Sequence, residues 1–496
     1  MPGLHFEMIE RVSQGPRVRE EEFDKSIFPR VKELAEKYDI KYDPANPIPA
    51  DDAMADRLFA AGMEFAVEKG LWVLDTQKVV KFTEAEIWRF LDNYRTPLTF
   101  GYGKDQVTLY PRKPESDVRP LVIGGAAGSS MSEGEIYVKH MMNFALEPTN
   151  DMIANGNPAR IEGREIRPLS PNEVHGAIQE VGWIREAIRR AGRPGMPLFV
   201  APGCAASAPP AVAIINEERG LRKGDFMYAA LLTELKSDYD RLIRAVTAVE
   251  NGVHVATLLA PMVGGWAGPP EGAAICGAAE TLLGAICHSS TIVVHHPVHM
   301  SLKNGATTHR TTLWIESVVG QAFSRNTCFP IGQNVFLDAR AGTYEVLWEA
   351  AANAIVAVSS GQHTGPGPSG ITGGDDVDMI SGIELRLLGE TSRAVTGMSR
   401  EQANEITVKC LEKYEPTLGQ PAQRKALARP LRYRQAQGKG RMAGDVREGQ
   451  SRTQRLGCAL PLTSTFSSLL LSGRTWRVHR CASGSADRGD GYVWSG

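Results

Sequence analysis

Hydrophobic and polar positions follow two different periods along the chain. Up to about residue 115, apolar residues recur at intervals of three and four, as in 28–38 and 52–70, which predicts amphipathic helices. Thr83 followed three residues later by Glu86 has the capping-box pattern that begins a helix. We therefore predict an N-terminal helical extension over residues 1–115.

From about residue 119 the pattern changes to short apolar runs that alternate with helical stretches. Eight such runs are candidate strands, of which the last is the weakest: 120–123, 151–154, 198–201, 228–232, 254–259, 291–294, 328–331 and 358–363. Eight strands separated by helices predict the α/β class. We predict a (β/α)8 TIM-type barrel over residues 116–418, with an open doubly wound sheet as the rival.

A barrel of this type carries its chemistry at the carboxyl ends of its strands and in the loops that follow. Glu234 lies in such a place, in the string LLTELK. It could act as a general base, anchor a cationic substrate or form a structural ion pair. Cys204 follows the third predicted strand, and His363 is a candidate base for it. Asp375 and Asp376 have the position of acids at a helix start, where they would repel a phosphate.

The run HHPVH places His295, His296 and His299 after the sixth predicted strand. A His-x₃-His spacing binds zinc when both rings share one helical face, but Pro297 in this run does not assure that geometry. We favour ordinary polar residues of the barrel mouth and keep a metal site as the alternative. No GxGxxG motif opens a helix after a strand, so nucleotide binding has no support.

Composition and charge further limit the class of protein to which the chain can belong. The chain has 496 residues, 42% hydrophobic and 23% charged, which is typical of a globular protein. It contains no run of 18 apolar residues and no secretory signal at its start, so we expect no membrane span. Seven cysteines without a CxxC motif favour the reducing cytoplasm.

The charge is divided unevenly between the body and the C-terminal tail. Residues 420–496 contain 14 Lys and Arg against 4 Asp and Glu, a balance of +10, which leaves −12 for the rest of the chain. The acidic body gives no electrostatic case for nucleic acid. The tail, 419–496, could be a basic nucleic-acid arm. We favour a low-order or out-of-frame extension without function, because composition changes abruptly near Pro421.

Several longer strings occur in a fixed order over roughly residues 20–415. They are PIPADDAMADRLFAAGMEFAVEKG, DTQKVVKFTEAEIW, VIGGAAGSSMSE, AGRPGM, GGWAG, PVHM and GIELRLLGETSRAVTG. In sequence and spacing these strings resemble the monomethylamine:corrinoid protein methyltransferase family of methylotrophic methanogens. The resemblance ends before the tail.

The resemblance implies a barrel with an N-terminal helical extension, assembled as a homo-oligomer. It also implies transfer of a methyl group from a small methylated amine to the Co(I) of a cognate corrinoid protein, in methylamine metabolism and methanogenesis. The corrinoid (cobalamin) is then supplied by the partner and not bound tightly by this chain. Because Co(I) attacks by an SN2 displacement, the barrel must hold the methyl carbon in line with it. Family members present the methyl group on pyrrolysine.

Four positions depart from what the resemblance implies. The family's pyrrolysine falls a few residues after AGRPGM, where this chain has an ordinary apolar residue, Val200 or Ala201. Its polar partners, two acids and one amide, fall at Tyr228, Leu258 and Thr327, and none of those side chains remains. We infer a changed substrate or a lost activity. Our hypothesis is a donor whose methyl group is already activated, such as a quaternary ammonium compound.

We assign site residues on this basis. Phe199, Tyr228 and Trp266 could line a cation–π pocket, although core packing explains Phe199 equally well. The catalytic candidates are Tyr228, Glu234 and Thr327. The substrate-contacting candidates are Phe199, Val200, Leu258, Trp266, His299 and His363. Two other functions stay open, namely a metal-dependent hydrolase or lyase built on HHPVH and a non-catalytic barrel that docks a corrinoid protein.

Overall fold

Eight parallel strands close into a barrel in which neighbours along the chain are also neighbours in space. The structure is a computed structural model and describes residues 2–158, 160–200, 207–302, 305–340, 343–370, 377–420, 477–480 and 492–495. The barrel strands are β1 Val122–Gly125, β2 Met152–Ala154, β3 Leu198–Val200, β4 Phe226–Tyr228, β5 His254–Leu259, β6 Ile292–His295, β7 Ile331–Gln333 and β8 His363–Gly367. The predicted α/β class and (β/α)8 barrel are confirmed.

Helices precede the barrel and follow each of its strands. The N-terminal helices are α1 Pro2–Gln14, α2 Glu20–Lys25, α3 Ile27–Lys37, α4 Asp52–Lys69 and α5 Glu84–Leu91. The helices after β1 to β8, in that order, are α6 Glu135–Leu146, α7 Pro171–Arg190, α8 Pro209–Ala213, α9 Tyr239–Glu250, α10 Pro270–Cys287, α11 Arg310–Asn326, α12 Tyr344–Ser359 and α13 Gly382–Ala394. A last helix, α14 Arg400–Tyr414, packs on α12.

Three barrel strands differ in position from their predicted ranges. β4 ends at Tyr228, where the predicted strand 228–232 begins. β7 begins at Ile331 and β8 at His363, at the end of the ranges predicted for them. The predicted range for β4 continues into the loop after the strand, whereas those for β7 and β8 begin in the turn or the helix end before it. These shifts matter because they change which end of the barrel a residue occupies.

Strand residues alternate between the barrel interior and the helical layer, as the pleat requires. The inward-facing side chains form one cluster: Ile123, Met152, Ala154, Phe199, Phe226, Tyr228, Ala256, Ile292 and Val294. Their outward-facing neighbours pack in a second cluster with the helices: Val122, Ile153, Leu198, Val200, Met227 and Val255.

The amino end of the barrel is closed by a short hairpin. Strands Leu98–Phe100 and Val107–Leu109 pair antiparallel and join the interior cluster. The Phe100 ring meets Phe226 edge-on at 4.7 Å and the His254 ring at 4.8 Å. Since both partners begin their strands, the hairpin plugs this end, and the opposite end is the mouth.

The N-terminal region is built against α10 and α11. A Cβ atom on Gly62 of α4 would lie 2.5 Å from the Cβ atom of Ala278 on α10, so only glycine allows this close crossing. Strands Leu71–Val73 and Lys78–Val80 pair antiparallel, and Lys236–Ser237 pairs parallel with the first of them. The helical period of this region did not predict these strands.

The chain divides into two units, Met1–Ala422 and Gln423–Gly496. In the second unit the described residues are two antiparallel strands, Arg477–Arg480 and Tyr492–Ser495. The sequence predicted no strand period there. Among the described residues, no helix combines the length and the apolar character that a membrane crossing needs.

Candidate functional site

Four consecutive strands direct side chains into the mouth of the barrel. Tyr228 ends β4 and Leu258 lies near the end of β5, and both belong to the interior cluster or pack against it. Alternate residues of a strand face the same side, and this pattern continues for one residue after β6 and after β7. It therefore directs His296 and Asn334 into the barrel. These four residues form the described part of the candidate site.

Tyr228 is the deepest polar side chain of the four. Its ring meets Phe199 edge-on at 4.9 Å, and the residue is 7% exposed. Burial raises the pKa of the phenol well above its ordinary range, so the hydroxyl is neutral. Among the described residues we find no hydrogen-bond partner for this hydroxyl, which leaves it free to meet a ligand.

His296 and Asn334 form a neutral pair just after the carboxyl ends of β6 and β7. The Asn334 Nδ2 amide donates to His296 Nδ1 at 2.7 Å. Burial lowers the pKa of His296 to about 4, which keeps the imidazole uncharged. The Asn334 Oδ1 atom is buried and has no hydrogen-bond partner among the described residues. We predicted His296 as a polar residue of the barrel mouth but did not predict Asn334, which the strand alternation would have indicated.

A rim of short parallel strand pairs extends the mouth outward. The pairs are Ser130–Met131 with Asn157–Pro158, Met262–Val263 with Val298–His299, and Phe336–Leu337 with Ser369–Gly370. His299 lies on this rim, where its ring stacks on His309 at 4.4 Å between ring centroids and its Nδ1 accepts from Ser301 Oγ at 2.7 Å. His299 is therefore a rim residue and not part of the interior.

Trp266 lies on a rim loop, residues 262–268, and is 45% exposed. Turn hydrogen bonds shape this loop, from Gly265 N–H to Met262 O at 3.1 Å and from Gly268 N–H to Gly265 O at 3.0 Å. No ring contact joins Trp266 to Phe199 or Tyr228 in the described residues. The structure therefore places Trp266 at the edge of the mouth, apart from the other two aromatic rings.

Glu234 lies beneath this rim loop and is fully buried. Its Oε1 atom accepts from the Met262 backbone N–H at 3.3 Å, and a backbone bond from Ala267 adds to this. Burial raises the pKa of the carboxyl to about 7, and the two backbone bonds oppose the shift. We predicted Glu234 as a catalytic residue. Because its carboxyl binds the backbone of the rim loop, its role in the structure is to hold that loop.

Two of the predicted site residues lie at the plugged end of the barrel. Thr327 caps the carboxyl end of α11, where its Oγ1 donates to Phe323 O at 2.9 Å. His363 begins β8, and its Nδ1 accepts from the Leu121 backbone N–H at 3.1 Å. Thr327 was assigned from the resemblance, and His363 from a strand predicted too early in the chain. We therefore remove Thr327 and His363 from the site at the mouth.

Val200 and Phe199 occupy adjacent positions on β3 but face opposite ways. Val200 is fully buried in the cluster of outward-facing residues, so it cannot contact a substrate in the barrel. Phe199 faces inward, is fully buried, and stacks on Phe226 at 5.1 Å. Its role is core packing that supports Tyr228 from below. Ala201, the other position assigned to the family's pyrrolysine, lies outside the described residues, as do Cys204, Asp375 and Asp376.

The three histidines of HHPVH diverge. His295 faces the helical layer, where its ring forms a hydrogen bond with Thr281 Oγ1 at 3.0 Å. His296 faces the mouth, and His299 lies on the rim. Across the described ranges, no three His, Cys, Asp or Glu side chains are arranged to hold a metal ion. This geometry removes the support for a metal enzyme built on the run.

The family model, the sequence relatives and the solved structures that match this chain all belong to the same family. A family model described as monomethylamine methyltransferase MtmB matches residues 4–429. The chain is 30% identical over 413 residues to monomethylamine methyltransferase MtmB2 of Methanosarcina acetivorans, with 83% of this chain and 88% of that protein covered. It is 31% identical over 415 residues to MtmB3 of Methanosarcina barkeri, with the same coverage.

Solved structures agree with the sequence relatives. A crystal structure of a hydroxylamine MtmB complex superposes with a TM-score of 0.79 at 30% identity, covering 84% of this chain and 90% of that chain. The Methanosarcina barkeri monomethylamine methyltransferase superposes with a TM-score of 0.78 at 29% identity and the same coverage. The barrel, its mouth and these matches together show that the chain is a methyltransferase that belongs to the monomethylamine methyltransferase family.

Proposed function

We propose that this enzyme moves a methyl group from a methylated amine to the Co(I) of a corrinoid carried by a separate protein. The proposal is supported by the names of the relatives, which are monomethylamine methyltransferases, and by a barrel whose open end has neutral, partly apolar walls. The corrinoid protein acts here as the second substrate. The new Co–C bond forms as the C–N bond breaks, and the electron pair of the C–N bond stays on the leaving amine.

The observation that carries our choice of donor is the neutrality of the described mouth. Tyr228 and His296 are uncharged at neutral pH because of burial, and Leu258 and Asn334 carry no ionisable group. An amine leaves only from its cationic form, and the described mouth has no carboxylate to pair with the N–H groups of a protonated amine. We therefore propose a quaternary ammonium donor, which departs as a neutral tertiary amine.

Aromatic rings supply the attraction for such a donor. The proposal assigns the Tyr228 ring to this contact, and a cation–π contact stabilises a complex by about 0.5–2 kcal/mol. Trp266 at the edge of the mouth is placed to contact a donor as it enters. Leu258 completes an apolar wall against the methyl groups.

Monomethylamine is the second candidate donor, and one observation favours it. The Asn334 Oδ1 atom is a buried acceptor without a partner among the described residues, and such an atom gains a hydrogen bond from an N–H donor. A primary ammonium ion has such hydrogens, whereas a quaternary ammonium ion has none. The two donors therefore differ in whether they can form a hydrogen bond with Asn334.

A cobalt spectrum tests the proposal. The purified enzyme is mixed with a corrinoid protein reduced to Co(I) and with monomethylamine, dimethylamine, trimethylamine, betaine or tetramethylammonium in separate reactions. We expect conversion of Co(I) to methyl-Co(III) with a quaternary donor and little with the others.

The control for this assay is the Methanosarcina barkeri relative with monomethylamine. Conversion by our enzyme with monomethylamine alone would replace the quaternary donor by the second candidate. If the control reacts and our enzyme converts Co(I) with none of the donors, methyl transfer to cobalt is excluded and a docking role without catalysis becomes the better proposal.

A further inference from the structure

Three large apolar side chains are exposed together at the rim of the mouth. Phe28 is 44% exposed, Trp266 45% and Met300 61%. Two of them pack on glycines of the rim loop that carries the third. A Cβ atom on Gly268 would lie 2.5 Å from Cδ2 of Phe28, and one on Gly264 would lie 3.0 Å from Sδ of Met300. We call Phe28, Trp266 and Met300 the rim patch.

A surface groove of about 240 Å³ adjoins the rim patch. It lies between α3 and the beginning of α10, and Phe28 is one of its lining residues. Its other apolar lining includes Val31, Ala35, Ile40 and Pro269. Charged side chains of both signs also line it, namely Lys32, Glu36, Asp39, Lys41 and Glu271. An exposed apolar surface bordered by polar groups is typical of a site that contacts another protein.

The residue types of the rim patch also favour a protein as its occupant. Trp, Phe and Met are enriched at the centres of protein–protein interfaces, where a few such side chains supply most of the binding energy. Met300 is held at this place by its backbone, because its N–H donates to Val263 O at 3.1 Å. The patch is therefore a fixed feature of the rim and available to a partner.

The size of the rim patch indicates a partner that binds and leaves. An aromatic side chain buries about 150–250 Å² when it is fully covered, so three side chains that are half exposed offer roughly 300 Å². A stable interface buries about 800 Å² on each partner. A permanent dimer of this chain needs more apolar surface than the patch provides, whereas a protein substrate has to dissociate after every turnover.

The plug hairpin restricts where such a protein substrate can bind. Phe100 and its neighbours fill the amino end of the barrel, so the interior is reached through the mouth. A reactive group carried by another protein reaches the interior only if that protein lies over the mouth. A protein in that position touches the rim.

We propose that the rim patch is the apolar anchor by which this enzyme binds the protein that carries the corrinoid. The inference rests on the proposed function, which supplies this partner. The patch lies on the loops after β5 and β6, at one side of the opening. It therefore holds the partner by an edge and leaves the centre of the opening to the corrinoid. Trp266 then contacts the partner as well as an entering donor.

Direct binding tests the rim patch without methyl transfer. The Kd between the enzyme and the corrinoid protein of the cobalt assay is measured by isothermal titration calorimetry, with the cobalt as unreactive Co(III) and without amine. Met300→Lys and Trp266→Ala should each raise Kd about tenfold or more, as expected for loss of a central interface side chain. Because both side chains are exposed, the melting temperature should stay near the wild-type value.

Leu146→Lys and Tyr110→Ala are the matched controls. Leu146 is 53% exposed at the end of α6, and Tyr110 is 48% exposed just after the plug hairpin, so both are remote from the mouth. Their Kd should stay within about twofold of the wild-type value. A wild-type enzyme that does not bind the corrinoid protein, or rim variants that bind as tightly as the wild type, would overturn the proposal.

The oligomeric state distinguishes the corrinoid protein from a second copy of this chain. Sedimentation velocity gives the mass of the enzyme alone, for the wild type and for Met300→Lys. We expect the same mass for both, because the rim patch is not a contact between copies. A smaller mass for Met300→Lys would assign the patch to such a contact and contradict our proposal.

Steady-state kinetics separates this inference from the proposed function. With an active donor, Met300→Lys should raise KM for the corrinoid protein about tenfold or more and leave KM for the donor unchanged. If methyl transfer occurs and the rim variants bind normally, the docking surface fails and the proposed function stands. If the rim variants weaken binding and no donor reacts, the proposed function fails and the rim patch remains a docking surface.

Discussion

The described side chains that face the mouth carry no net charge near neutral pH. Burial keeps the Tyr228 phenol and the His296 imidazole neutral, and the Asn334 amide completes the polar set. A cation that enters this site meets an aromatic face and two neutral dipoles. At the scale of single residues, recognition by such a site depends on ring faces and hydrogen-bond acceptors.

Tyr228 provides the first prediction at this scale. Tyr228→Leu should weaken binding of a quaternary donor by roughly 3- to 30-fold, because the ring face is lost while the volume is largely kept. Tyr228→Phe should keep the affinity within about twofold, since the ring remains. Donor KM or calorimetric Kd measures both effects.

Phe199→Leu is the control for this comparison. It should lower the free energy of unfolding by about 1–3 kcal/mol while leaving donor affinity near the wild-type value, because Phe199 is fully buried beneath Tyr228. Equal losses of affinity in Tyr228→Phe and Tyr228→Leu would show that the hydroxyl, and not the ring face, binds the donor.

His296 gives a prediction about pH. Because burial lowers its pKa to about 4 from 6.5, the unfolded chain binds more protons between these values. The contribution of His296 to stability is therefore complete above pH 6.5 and falls as the pH drops to about 4. The NMR signals of its ring, assigned with His296→Asn, should stay constant from pH 6.5 to 8.5. A titration step within that range would contradict the buried, neutral ring.

The candidate site residues were assigned partly from the resemblance and partly from predicted strand ends. Tyr228 and Leu258 were assigned to the site, and the structure places both on the inner wall near the mouth. Thr327 was assigned from the resemblance and His363 from a strand predicted a few residues too early, and the structure places both at the plugged end. The alternation of apolar and polar residues shows which face of a strand a residue occupies. It does not show at which residue the strand begins. Glu234 was recognised, but its role as a loop anchor depends on backbone groups that are distant in sequence.

At the scale of elements, the alternation of apolar runs and helices was enough to predict the number of barrel strands, although three of the eight were shifted along the chain. The plug hairpin was not predicted, because Leu98–Phe100 and Val107–Leu109 are three residues long and sit in a region with helical periodicity. Such short strands are stabilised by the barrel interior that they cover. Their conformation is therefore a tertiary effect and not a local one.

The plug gives a prediction at the element scale. Phe100→Ala should lower the free energy of unfolding by about 3–5 kcal/mol, because it empties the space between Phe226 and His254. Tyr110→Ala, just after the same hairpin, removes a side chain that is 48% exposed and should cost no more than about 0.5 kcal/mol. Urea denaturation compares the two. Similar losses would show that the Phe100 ring does not fill the amino end.

At the scale of the whole molecule, the first unit, Met1–Ala422, includes the barrel, its N-terminal helices and the candidate site. The family model matches up to residue 429, so most of the basic tail lies beyond the match. We expect an enzyme that ends after Ala422 to keep its melting temperature within about 2 °C, since the barrel and its N-terminal helices all lie in the first unit. Differential scanning calorimetry and the cobalt assay measure this. A large drop in either would give the tail a function.

The plug also has a consequence for the order of events in turnover. With the amino end filled by Phe100 and its neighbours, small molecules enter and leave through the mouth. Under the proposed function, the protein that delivers cobalt covers that same opening. The amine is thus obliged to bind before the protein docks and to leave after it departs. Steady-state kinetics should therefore show a compulsory order, with excess corrinoid protein inhibiting the reaction by sealing empty barrels.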